Sequence, residues 1–100
     1  MKRLLKTLVF ASLLSFISCG NNPEKSRLYY DKAMDYLYHS QFEEAIEYFD
    51  KAIKFNDKNH EAYFYRGCAK YNIYQKDEAL EDYNKTLEID PEYLQAYFNI

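Results

Sequence analysis

Glu43-Glu44-Ala45-Ile46-Glu47-Tyr48-Phe49-Asp50-Lys51-Ala52-Ile53 lies, at an offset of 34 residues, over Asp77-Glu78-Ala79-Leu80-Glu81-Asp82-Tyr83-Asn84-Lys85-Thr86-Leu87. Glu44/Glu78, Ala45/Ala79, Glu47/Glu81 and Lys51/Lys85 are identical, and most of the other pairs keep their chemistry. Ala45, Ile46, Phe49, Ala52 and Ile53 recur at i, i+1, i+4, i+7 and i+8, a spacing that gathers into one apolar stripe only on an α-helix. Ala79, Leu80, Tyr83, Thr86 and Leu87 repeat the stripe. Glu47 with Lys51 and Glu81 with Lys85 are acid-then-base pairs one turn apart on the opposite face. Each is worth about 0.3 kcal/mol, which marks a solvated face rather than a charge-based site.

Outward from this stretch the same offset aligns Tyr29-Tyr30 with Tyr63-Phe64 and Tyr97-Phe98, and Ala33 with Gly67. A glycine in mid-helix costs about 1 kcal/mol relative to alanine, so Gly67 predicts a close helix approach. Ser40-Gln41-Phe42-Glu43 has the S-x-x-E form of a capping box and predicts a serine-capped helix start. Asp90-Pro91 predicts another start, with an acid as N-cap and proline at the first helical position.

The period and its helix-turn-helix pattern resemble the tetratricopeptide repeat (TPR) family. In the second unit Tyr63-x-x-Arg66-Gly67-x-x-Lys70 stands where the family has an aromatic, leucine, glycine and tyrosine, followed by Ala79-x-x-x-Tyr83 and Pro91. The first unit matches through Tyr29, Ala33, Tyr36, Ala45, Phe49 and Ala52, with Asp57 where the family places proline. The resemblance implies an all-α TPR-type solenoid with full repeats at 26–59 and 60–93 and the start of a third at 94–100. It assigns repeat packing to Ala33, Ala45, Phe49, Ala52, Gly67, Ala79, Tyr83 and Pro91.

It also implies a concave face, lined by the first helix of each pair, that binds an extended peptide or a partner helix. Carried over, the groove positions are Arg27, Tyr30, Met34, Leu37 and Tyr38, then Glu61, Phe64, Cys68, Tyr71 and Asn72, then Gln95 and Phe98. Members that clamp the C-terminal carboxylate of chaperones use Lys, Arg and Asn on this face. Tyr30, Met34, Phe64 and Cys68 stand there instead, so chaperone-tail recognition is not expected.

The N-terminal stretch reads as an address. Met1-Lys2-Arg3-Leu4-Leu5-Lys6 is cationic and Leu8 to Ile17 is apolar apart from Ser12 and Ser15. Ten helical residues cover about 15 Å, half the hydrocarbon core of a bilayer, which favours a cleavable signal over a span. Leu14-Ser15-Phe16-Ile17-Ser18-Cys19-Gly20 resembles a lipobox, although Phe16 departs from the usual leucine. The resemblance implies removal of residues 1–18 and acylation of Cys19, with 19–25 as tether. The expected location is the cell envelope of a bacterium, lipid-anchored on the exported side; cleavage after Gly20 would make the protein secreted or periplasmic.

Residues 1–18 hold three of the 13 bases and none of the 16 acids, so the remainder carries a net charge of −6. Nucleic acid and anionic head groups are poor partners for such a chain. Two cysteines, Cys19 and Cys68, do not make a disulfide framework, and Cys68 is expected to be buried as a small apolar residue. His39 and His60 lack partners at metal-ligand spacing, and with Gly20 and Gly67 the only glycines there is no phosphate loop. Adjacent acids such as Glu43-Glu44 and Glu81-Asp82 diverge on a helix. No metal, cofactor or catalytic set is expected.

What remains is a protein-protein interaction module or, on the same surface, a structural assembly subunit. Tyr97, Phe98 and Ile100 leave an apolar edge at the third repeat. The expectation is that further repeats of a longer array, a partner or a second copy cover it.

Overall fold

The computed structural model describes residues 20–100; the stretch expected to be a signal segment, residues 1–18, and Cys19 lie outside the described residues. Among the described residues five α-helices follow one another: α1 (Pro23–Tyr38), α2 (Phe42–Phe55), α3 (His60–Asn72), α4 (Lys76–Ile89) and α5 (Leu94–Asn99). The helix α1 packs on α2, α3 on α4, and α2 carries α3, so two helical hairpins stack in sequence order and α5 lies against α4. Among the described residues there is no strand, and no helix is long and apolar enough to cross a membrane.

Short polar side chains start the first helix of each hairpin. Asn22 Oδ1 accepts from the Lys25 N–H at 3.0 Å with Pro23 in the first turn, and Asn59 Oδ1 accepts from the Ala62 N–H at 3.2 Å. Each satisfies a backbone donor that the helix leaves orphaned.

The capping box at Ser40 does not form. α2 begins at Phe42, its N-cap is Gln41, and no side chain caps it. Ser40 instead closes the preceding helix in the left-handed region at φ 57°, where Ser40 N–H donates to Leu37 O and Gln41 N–H donates back to Tyr36 O at 2.9 Å. Tyr74, 34 residues on, has φ 67° and the same bonds, with Gln75 N–H reaching Lys70 O at 2.9 Å. The tight turn demands one left-handed residue to satisfy the last carbonyls, and that demand takes Ser40 away from capping.

Asp90-Pro91 departs from expectation in the same way. Asp90 terminates α4, its N–H donating to Thr86 O at 2.8 Å, and its carboxylate accepts from the Glu92 N–H at 3.1 Å. Pro91 therefore sits in a turn, and the next helix begins three residues later at Leu94. Asn56 makes the equivalent bond to Lys58 N–H in the first repeat, at 3.1 Å.

The stripes bury as their spacing requires. Phe49 is fully buried among Ala33, Ala45, Ala62 and Ala69, and a second cluster joins Phe64, Ala79, Tyr83 and Ala96. Burying Phe49 contributes about 1.5–3 kcal/mol. A Cβ on Gly67 would stand 2.8 Å from the Tyr83 ring and 3.2 Å from Ala79 O, so the missing side chain is what lets α3 approach α4. Leu80 is exposed, whereas its counterpart Ile46 packs against the cluster that Ala62 and Ala69 of α3 share with α1 and α2.

Two polar links tie the hairpins. Within the first, Ser26 Oγ on α1 donates to Ala52 O on α2 at 2.7 Å. Within the second the donor sits on the other helix: Thr86 Oγ1 on α4 lies 3.3 Å from His60 O and 2.9 Å from Asp82 O, two acceptors for one hydroxyl proton. On the surface Lys51 pairs with Glu47 at 3.7 Å, whereas Lys85 turns to Glu88 at 3.6 Å rather than to Glu81.

Between the repeats runs an ion network absent from the sequence reading. Arg66 forks onto both oxygens of Asp82, at 2.7 and 2.9 Å, and reaches Asp50 of α2 at 2.8 Å; Lys70 adds a contact to Asp82 at 3.1 Å. The Asp82 side chain is 5% exposed and that of Arg66 17%. Burial alone would pull the Arg66 guanidinium down, but the Asp82 and Asp50 carboxylates outweigh it and hold it above its ordinary value.

Candidate functional site: the concave groove

The groove positions lie on α1, α3 and α5, and the packing divides them into two sets. Tyr30, Met34 and Leu37 turn partly inward against the Phe49 cluster, and Phe64, 5% exposed, is held among Tyr65, Tyr83 and Tyr93. Tyr38, Tyr71 and Phe98 present their rings to solvent, at 80%, 52% and 86% exposure. Arg27 and Asn72 are exposed, and Cys68 is half-buried rather than buried.

At the α3–α4–α5 junction Cys68, Tyr71, Asn72, Tyr83, Phe98 and Asn99 enclose a cleft of ≈ 350 Å³. Four of these six are groove positions read from the sequence. Tyr83 was assigned to packing, and it does pack in the second cluster, but it also lines the cleft. Asn99 was not singled out, although it stands one turn beyond Gln95 on the same helix. No formal charge lines this cleft. Asn72 Nδ2 donates to Cys68 O at 2.8 Å, leaving its carbonyl oxygen available, and Asn99 Nδ2 lies 3.9 Å from Cys68 Sγ. Burial pushes the Cys68 thiol up, so it stays protonated and weakly nucleophilic near neutral pH. Burial likewise raises the Tyr83 phenol, with Cys68 beside it adding to the shift.

Towards the first repeat the groove changes character. Tyr65 packs with Tyr30 on one side and Tyr93 on the other, and burial pushes the Tyr30 and Tyr93 phenols well above the ordinary range, with Glu61 the next cause at Tyr30 and Tyr65 the next at Tyr93. The Tyr30 and Tyr93 hydroxyls therefore remain neutral. Among the described residues no three His, Cys, Asp or Glu side chains converge as metal ligands.

Comparison with known proteins agrees with this geometry. Human sperm-associated antigen 1 is 32% identical over 75 residues, 75% of this chain, and Hsp70-Hsp90 organizing protein 2 of Arabidopsis thaliana is 30% identical over 67 residues, 67% of this chain. The chain spans 8% and 12% of the length of these two relatives. Among solved structures, the TPR2AB domain of yeast Sti1 in complex with pHSP90 superposes with a TM-score of 0.77 at 26% identity, covering 98% of this chain and 36% of that one. Residues 26–59 and 60–93 each match the family described as tetratricopeptide repeat. With two helical hairpins stacked at that period, the chain belongs to the tetratricopeptide repeat family.

Proposed function

We propose that this chain is a lipid-anchored interaction module of a bacterial cell envelope, held by an acylated Cys19 and taking an extended segment or helix of a protein partner in its concave groove. The observation that carries the groove reading is the coincidence of the ≈ 350 Å³ cleft with exposed Tyr71 and Phe98. Tyrosine and phenylalanine offer large contact area at small entropic cost. That a related domain is described in complex with pHSP90 supports a peptide or protein as the ligand class. A chaperone tail is a poor fit here, because Tyr30, Met34, Phe64 and Cys68 offer its carboxylate no cation. The anchoring half rests on Lys2-Arg3, the short apolar run and Ser18-Cys19-Gly20.

A pull-down of the full chain from its native envelope, with partners identified by mass, tests both halves. Tyr71→Ala with Phe98→Ala should weaken partner capture by at least tenfold, about 1.4 kcal/mol or more. Cys19→Ala should release the protein from membranes and abolish labelling by a clickable fatty acid. Undiminished capture by the double variant moves the site elsewhere, and a labelled, membrane-bound Cys19→Ala protein removes the anchor.

The second reading, an assembly subunit, is favoured by Leu94, Tyr97, Phe98 and Ile100, all more than half exposed along α5 and its end. Concentration-dependent sedimentation that Phe98→Glu abolishes would select it.

A further inference from the structure

The groove has one electrostatic feature that its aromatic character hides. Glu61, exposed in the first turn of α3, takes part in no ion pair among the described residues. Arg27, the cation on the same face, is occupied by Asp31 at 3.2 Å. Aromatic rings occupy the same part of the groove. Tyr30 of α1 and Tyr65 of α3 pack against one core cluster, Tyr65 and Tyr93 against the other, and the Phe64 ring stands 5.1 Å from both Tyr65 and Tyr93. Tyr65 stands one helical turn beyond Glu61 on the same face of α3, and packing in both clusters sets it between Tyr30 and Tyr93; the upward pull of Glu61 on the Tyr30 and Tyr93 phenols agrees with that placement. A free carboxylate one turn from a ring that continues into an aromatic cluster is complementary to an ammonium or guanidinium, which gains both from the charge and from the ring quadrupoles.

The second contact is the uncharged cleft. Cys68 on its wall is seven residues beyond Glu61 on the same helix, about 10.5 Å along the axis at 1.5 Å per residue. An extended chain of the polyproline II type advances about 3.1 Å per residue and returns a side chain to the same face every third one, so three residues cover about 9 Å. The two subsites are therefore spaced for side chains three residues apart.

We infer that the partner segment carries a lysine or arginine, seated between Glu61 and the rings of Tyr30, Tyr65 and Tyr93, three residues from an apolar side chain lodged in the cleft of Cys68, Tyr71 and Phe98. This rests on the groove reading above and sharpens it from a protein partner to a basic and apolar motif. The net charge of −6 beyond residue 18 works in the same direction, drawing cationic segments in and repelling acidic ones.

The test is selection from a random peptide library displayed on phage, against the immobilised full chain and two variants. The parent should enrich sequences with Lys or Arg three residues from Leu, Phe, Ile or Met. Glu61→Gln, which keeps size and helix, should lower the basic preference about fivefold, the scale of one exposed ion pair, and leave the apolar preference intact. Tyr71→Ala with Phe98→Ala should do the reverse. Peptides that need Tyr71 and Phe98 but show no basic preference, or a basic preference unmoved in Glu61→Gln, would overturn the inference and leave the groove standing. No enrichment, or enrichment indifferent to both variants, would overturn the groove reading and this inference with it.

Discussion

Lys32, Tyr36 and Tyr48 occupy in the first repeat the positions that Arg66, Lys70 and Asp82 occupy in the second. In the first, the rings of Tyr36 and Tyr48 stack at 5.4 Å and 16°, and Lys32 Nζ lies 5.0 Å over the Tyr48 ring. In the second, two cations converge on one buried carboxylate. The same three-point contact between the helices of a hairpin is thus made once by stacking and cation–π attraction and once by charge. Arg66 and Lys70 are also the positions where the chain departs from the family's leucine and tyrosine. The difference teaches that such departures come as a set: without Asp82, half-buried Lys70 would have no counter-charge and Arg66 would keep only the more exposed Asp50, and Asp82 alone would be costlier still. Arg66 also reaches Asp50 of the preceding hairpin, so the charged triad joins the repeats as well.

The largest effect should come from breaking that triad. Asp82→Ala leaves Lys70 without its anion and Arg66 with only the more exposed Asp50, and should cost about 3 kcal/mol in urea unfolding. Rebuilding the second repeat on the first repeat's pattern, with Arg66→Lys, Lys70→Tyr and Asp82→Tyr together, should return stability to within about 1 kcal/mol of the parent. A triple variant as damaged as Asp82→Ala would show that the two triads are not interchangeable.

Next comes the small residue between the hairpin helices. The first repeat holds Ala33 and the second Gly67, and only the second has a tyrosine ring where the Cβ would go. Gly67→Ala should lower stability by about 1.5 kcal/mol, the overpacking penalty exceeding the roughly 1 kcal/mol gained in helix propensity. A raised melting temperature would mean that the Tyr83 ring yields freely.

The smallest effect concerns the left-handed turns. Tyr74 is 89% exposed, so Tyr74→Gly loses almost no packing and should stabilise by about 1 kcal/mol, read as a higher melting temperature. Ser40→Gly, at nearly the same φ, should match it. A gain at one site only would separate two turns that the backbone makes alike.

The stripes were legible because they are local. Ala45, Phe49 and Ala52 declare their face through spacing within one helix, and Ala79 and Tyr83 repeat it at the period that also sets the stacking. Gly67 announced close packing through the cost of placing it in mid-helix. The Arg66 network was not legible, because residues 50, 66 and 82 meet only once three helices have crossed. Ser40 and Asp90 were misread for a shared reason. Each carries the side chain of a helix start, but the terminus of the preceding helix claims it first, and the next helix begins further on. In the groove, residue type marked the face, while the division into supporting rings such as Phe64 and presented rings such as Phe98 depends on which neighbour lies above each one.

The exchanged hydroxyl at the crossing of each hairpin bears on mispairing. Repeats so alike could join α1 to α4, or α3 to α2, in a nascent chain or between two copies. The first mismatch would bring Ser26 and Thr86 together, two hydroxyls competing for one crossing point; the second would bring His60 and Ala52 together, with no hydroxyl at all. Only the native partners supply one donor for the helix opposite. A bond that contributes little to stability thus discriminates between registers, and it does so because the two copies of the motif are not the same.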